Sequence, residues 1–82
     1  MLVHYTFADY PTFKTAFDND SEDRSNNAML LMQLWRESNS SAWALFDLHD
    51  PLKARAYLDG AAGVFNSQAG ITAVQTHMLD NA

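Results

Sequence analysis

The sequence predicts one α+β domain, with four strands in a single antiparallel sheet and two helices packed on one face of it. Three observations lead there. Four segments read as strands by alternation or by β-branched and aromatic content, two Asp residues closely followed by proline read as helix starts, and no repeat or long linker divides the 82 residues. A chain of this length buries about 60% or slightly more of its unfolded surface, enough for one modest core. Residues 1–82 are therefore one domain.

Leu2 to Phe7 alternates Val3, Tyr5 and Phe7 against Leu2, His4 and Thr6 and reads as the first strand. Asp9 is a helix N-cap, and Pro11 in the first turn supplies a fixed φ where no amide partner is needed. Tyr10, Phe13, Ala16 and Phe17 then recur at helical spacing, so the first helix starts near Tyr10 with one face to the core. Its end is not marked, because Asp18 to Asn27 is polar and acidic without periodicity.

Ala28 to Glu37 is apolar on both parities, which fits a strand covered on both faces; periodicity alone leaves a helix open. The turn residues through Ser41 favour the strand, because they lead into a second alternating run, Ala42 to Leu48, and so form a hairpin. Asp50 followed by Pro51 is the strongest helix start in the chain. Ala54, Tyr57, Leu58, Ala61 and Phe65 continue its apolar stripe, and Gly60 and Gly63 suggest a break into two pieces. Gly70 suits a helix stop. Ile71 to Leu79 closes the chain as the fourth strand.

The order β-α-β-β-α-β is the ferredoxin-like pattern. Two right-handed crossovers give strand order 4-1-3-2 with both helices on one face. Two short helices cover only one side of the sheet, yet Trp35, Trp43, Leu31 and Leu45 share the parity that points to the other. Such a patch is larger than soluble monomers usually leave open, so a second copy of the chain is the expected cover.

In its length, element order, Asp50-Pro51 helix start, broken second helix GAAGVFNSQAG and final strand ITAVQTHML, the chain resembles the dimeric α/β-barrel superfamily. That group includes antibiotic-biosynthesis monooxygenase-like and stress-responsive barrel proteins. The resemblance spans almost the whole chain and rests on architecture. It implies two sheets packed face to face as a homodimeric barrel, with a small hydrophobic organic molecule or haem bound beside it. It further implies that some members oxidise or cyclise such molecules without an added cofactor. No cofactor is expected for this chain.

Composition narrows the partners. Ten acidic residues against five basic ones, for a net charge of -5, lack the positive footprint that nucleic acid and anionic membranes require. The absence of cysteine excludes disulfide scaffolds, thiol nucleophiles and Cys-ligated metals. No apolar run reaches the ~18 residues of a membrane span and no signal-peptide core follows Met1, so a cytoplasmic location is expected. Charged residues make up 18% of the chain, below the usual ~25%, which again suggests that something besides water covers part of the surface.

The residues most open to a chemical role are His4, His77 and Asp47. In strand order 4-1-3-2 the first strand runs antiparallel to the third and fourth, so these three are expected to meet at one end of the non-helical face. A His oriented by a carboxylate is a general base, and two His with one carboxylate can bind a metal. The simpler reading makes them isolated polar residues, hydrogen-bonded at sheet ends or in a dimer interface, and no metal site is assigned. Trp35, Trp43 and Leu45 are the candidate ligand-binding wall, or interface anchors in a chain without a ligand. On that alternative the protein is a non-catalytic dimerisation or interaction module.

Other patterns carry less. Asp18, Asp20 and Glu22 copy the first ligand positions of a calcium loop, but Asp23 and Met29 stand where its glycine and final glutamate belong. Tyr5 and Phe46 occupy the central strands where RNA-recognition modules stack bases, without the basic signature of those modules. Gly60, Gly63 and Gly70 form no phosphate-binding loop.

Overall fold

The computed structural model describes residues 1–60, 62–80 and 82, residue 62 by its backbone alone. Eight elements follow one another among them: β1 (Leu2–Phe7), α1 (Tyr10–Asn19), α2 (Ser21–Asn26), β2 (Met29–Ser38), β3 (Ser41–Leu48), α3 (Pro51–Gly60), α4 (Ala62–Gln68) and β4 (Ile71–His77). The protein is an α+β domain whose four strands form one antiparallel sheet, ordered β2-β3-β1-β4, an arrangement compatible with a ferredoxin-like fold. The element order is β-α-α-β-β-α-α-β: the first connection, expected as one helix, is made of two, and the second is broken into two helices, as its glycines suggest. No helix among the described residues is long and apolar enough to cross a membrane.

Both helix starts are capped as their residue types dictate. The Asp9 carboxylate accepts from the Thr12 amide at 2.9 Å and that of Asp50 from the Lys53 amide at 3.2 Å, each satisfying a first-turn donor that has no partner within the helix. The polar segment after α1 does not stay irregular. Asp20 ends α1 and heads α2, a short helix whose one buried side chain is Arg24. With no apolar stripe to bury, α2 leaves no periodic trace in the sequence. Gly60 ends α3, whereas Gly63 lies inside α4, so only the first of the two expected breakers sits at a boundary. Ala61, expected on the apolar stripe, lies outside the described residues.

Alternation on the central strands sets the core. Val3, Tyr5 and Phe7 of β1 and Ala42, Ala44 and Phe46 of β3 are buried beneath the helices. Tyr5 pairs with Ala42 and Val3 with Ala44, and these small partners leave room for rings to descend from the helical layer. Phe13 stacks on Phe7 at 4.3 Å between centroids, and Phe17 and Phe65 meet Tyr5 edge-on. Leu58 packs at the margin of this core, while Val74 is 39% exposed on the edge strand β4. Gly70 joins α4 to β4 at φ 66°, a left-handed conformation in which glycine has no Cβ to strain.

One irregularity redistributes β2. Leu31 pairs with Phe46 and Gln33 with Leu45, so Met32 is an extra residue in a bulge. Strict alternation places Leu31 with the tryptophans, but the bulge leaves it opposite Phe46 on the helical side. Beyond the bulge Trp35 faces away from the helices, paired directly with Trp43. β4 ends at His77, and Met78 and Leu79, expected to extend it, are exposed beyond the strand.

Candidate functional site

The face of the sheet away from the helices carries all six residues singled out in the sequence. Register places His4 beside Trp43, Leu2 between Leu45 and His77, and Trp35 across from Trp43. Leu2, Trp35 and Trp43 line a shallow apolar hollow. The three ionisable residues do not gather there as a triad. Asp47 is four positions along β3 from Trp43, about 14 Å along the strand from the level of His4, and it lies 3.7 Å from the His49 ring. His77 is a diagonal neighbour of His4, roughly 7–8 Å away across the β1–β4 pair.

His4 has other partners. Its Nε2 lies 2.6 Å from the Ser41 hydroxyl, which in turn donates to Glu37 Oε1 at 2.5 Å. Because Ser41 gives its proton to Glu37, the His4 Nε2–H is the donor in the first of these bonds. The Ser41 hydroxyl, reinforced by the Trp43 indole and His4, holds the Glu37 carboxyl below its ordinary pKa. The sequence carried no sign of this chain, since it depends on the β2–β3 hairpin folding Glu37 back over Ser41. Among the described residues no three His, Asp or Glu side chains gather as metal ligands would.

A second concavity lies on the opposite side of the sheet, under the helical layer. It holds about 240 Å³, with Val3, Met29, Leu58, Phe65 and Val74 among its apolar walls. Its polar end is built from α2 and α3. The Tyr57 hydroxyl donates to Asp20 Oδ2 at 2.5 Å, tying α3 to the junction of α1 and α2. Arg24 lies 3.5 Å from the same carboxylate oxygen, donates to the Phe17 carbonyl at 2.8 Å, and rests on the Phe17 ring at 3.9 Å. This is how a guanidinium only 5% exposed is tolerated: its charge is paired, a donor is bonded, and its plane covers an aromatic face.

The phenols at this end are both held in the neutral form. Burial raises the Tyr5 pKa well above the usual phenol range, with Asp20 adding to the shift and Arg24 opposing it. Burial also raises that of Tyr57, assisted by its bond to Asp20. Sequence reasoning missed the whole constellation because Tyr57 and Asp20 are 37 residues apart and neither belongs to a recognisable motif. A lone Arg amid polar residues was the only trace. Comparison with protein-family models, curated proteins and solved structures gives no significant match.

Proposed function

We propose that the protein is a homodimer of barrel type that binds a small hydrophobic organic molecule in the cavity beneath its helices. The cavity carries the binding half of this reading, because apolar walls converging on a few fixed polar groups are what small-molecule sites offer. The dimer half rests on the open sheet face. Its centre, formed by Leu2, His4, Gln33, Trp35, Trp43 and Leu45, contains no Asp, Glu, Lys or Arg. The Glu37 carboxylate, bonded to Ser41 and 3.6 Å from His4, and Asp47 flank this centre, so two copies of net charge -5 would meet through its apolar side chains and not through charge pairing. His4 fits this role as a polar interface group whose Nε2 is already bonded within its own chain.

A cofactor-independent oxidation or cyclisation, which the superfamily resemblance implies, needs a base at the ligand. At the polar end of the cavity, Asp20 is engaged by Tyr57 and Arg24, an arrangement that favours binding over turnover. The competing reading, a dimerisation module without a ligand, keeps the open face and assigns the cavity no occupant.

A thermal-shift screen of small aromatic compounds separates the two. Compounds that stabilise the wild type should lose that effect in Val74→Phe, which fills the cavity from its partly exposed edge. A screen without hits, or hits that Val74→Phe leaves untouched, would favour the ligand-free module. Light scattering with size exclusion should give twice the 9.2 kDa chain mass for the wild type and the single mass for Trp43→Asp, which puts a carboxylate into the interface. A wild type that runs as a monomer at micromolar concentration would remove the barrel.

A further inference from the structure

Tyr5 and Tyr57 contribute phenols to one cavity, but they are not equivalent. Tyr57 is committed to Asp20, while the Tyr5 hydroxyl has no hydrogen-bond partner among the described residues. Its ring is fixed in the core at 6% exposure between Phe13, Phe17 and Phe65. No buried side-chain oxygen or nitrogen is both sealed from solvent and without a partner among the described residues, so the Tyr5 oxygen opens onto the cavity that the residue lines. The molecule thus carries a rigidly mounted, almost wholly buried O–H donor at the polar end of a space of about 240 Å³. A donor so placed is free to bond an acceptor that enters the cavity.

We infer that the cavity takes an uncharged, planar, single-ring molecule bearing a carbonyl oxygen, and that the Tyr5 hydroxyl donates the hydrogen bond that orients it. This rests on the cavity being the binding site. Size sets the single ring, since the volume falls below the ~300–1,000 Å³ of sites for drug-sized ligands. Charge sets neutrality. The charged residues lining the space are Asp20 and Arg24 at the polar end and Arg55 and Asp59 elsewhere in the lining, and their formal charges cancel. The lining therefore has no net positive charge to repay the desolvation of an anion. The acceptor follows from Tyr5 itself, whose buried phenol keeps its proton and is available as a donor.

Titration calorimetry with three matched probes tests the inference. Acetophenone offers a neutral carbonyl, ethylbenzene the same shape without an acceptor, and benzoate a similar shape with a charge. Wild type should bind acetophenone about tenfold more tightly than ethylbenzene, and benzoate more weakly than acetophenone. Tyr5→Phe should bring acetophenone down to the ethylbenzene level and leave ethylbenzene unchanged. The carbonyl stretch of bound acetophenone should lie at lower frequency in wild type than in hydrocarbon solvent, a readout that does not depend on the variant. Equal binding of acetophenone and ethylbenzene, an unshifted carbonyl, or tightest binding of benzoate would overturn the assignment to Tyr5 while leaving the cavity as a binding site. Failure of both neutral probes to bind would sink the cavity reading as well.

Discussion

The imidazole of His4 lies flat on the indole of Trp43, with centroids 4.1 Å apart and planes 13° from parallel. The stack fixes the ring that donates to Ser41, so packing and hydrogen bonding on the open face depend on one another. His4→Ala removes both and should destabilise the fold by about 1 kcal/mol, the usual worth of an aromatic pair beyond its buried area. His4→Phe keeps the stack and loses only the hydrogen bond. Near-ultraviolet circular dichroism of the indoles should change in the alanine variant and be largely retained in the phenylalanine one; identical spectra for both variants would deny the stack a role.

Phe17 should be the costliest single truncation in the core. It is 1% exposed, contacts rings on both central strands, and carries the Arg24 guanidinium on its face. Phe17→Ala is expected to lose ~3–5 kcal/mol, measured by urea unfolding. A loss below ~1 kcal/mol would mean that the α1 register is wrong.

Stability should fall at both ends of the pH scale, for opposite reasons. The Thr12 amide lowers the pKa of the Asp9 carboxyl and Ser41 that of Glu37. The stability linked to these groups is present above their unfolded values, near pH 4, and is lost as pH falls through the lower folded values. Tyr5 and Tyr57 are raised, so their contribution holds below the unfolded value near pH 10 and is lost as pH rises further. Melting temperature followed from pH 3 to 11 should show both limbs. Asp9→Asn, which still caps α1, should make the acid limb shallower, and Tyr57→Phe the alkaline one.

Ala28 joins α2 to β2 at φ 64°, a left-handed conformation that crowds its Cβ against the backbone. Its carbonyl accepts from the His49 amide at 2.9 Å, which holds the chain in that shape. Ala28→Gly should therefore stabilise the protein by about 1 kcal/mol, against the usual sign of an Ala-to-Gly change. Chemical denaturation showing a loss instead would mean that the strain relieved is smaller than the entropy gained by the unfolded chain.

Where local physics decides a segment, the sequence is enough. β1 and β3 alternate because one face is buried, and Asp9 and Asp50 cap helices because first-turn amides need acceptors. α2 escaped because it buries an arginine instead of an apolar stripe, and such a helix depends on tertiary partners that Phe17 and Asp20 supply. The cavity escaped for a similar reason: its polar end joins residues from distant elements, and nothing within either segment marks them as partners. Trp35 and Trp43 were placed on the same face, but Leu31 was not separated from them, since a bulge leaves no compositional mark when its extra residue is a methionine among other apolar side chains.

That extra methionine gives β2 an uneven tolerance to loss of length. Upstream of Met32, Met29 and Leu31 pair with residues of the helical side; downstream, Gln33 and Trp35 lie on the open side and Leu34 opposite Ala44. Excising Met32 joins Leu31 directly to Gln33 and restores alternation from Met29 to Arg36, with every remaining side chain still on its present face. Excising Leu34 instead keeps Leu31 and Trp35 on their faces only by absorbing the bulge, which puts Met32 on the open side and Gln33 on the helical side opposite Ala44. A chain shortened at position 32 thus keeps both surfaces of the sheet as they are, whereas the same loss two positions later exchanges a buried-side leucine for a glutamine.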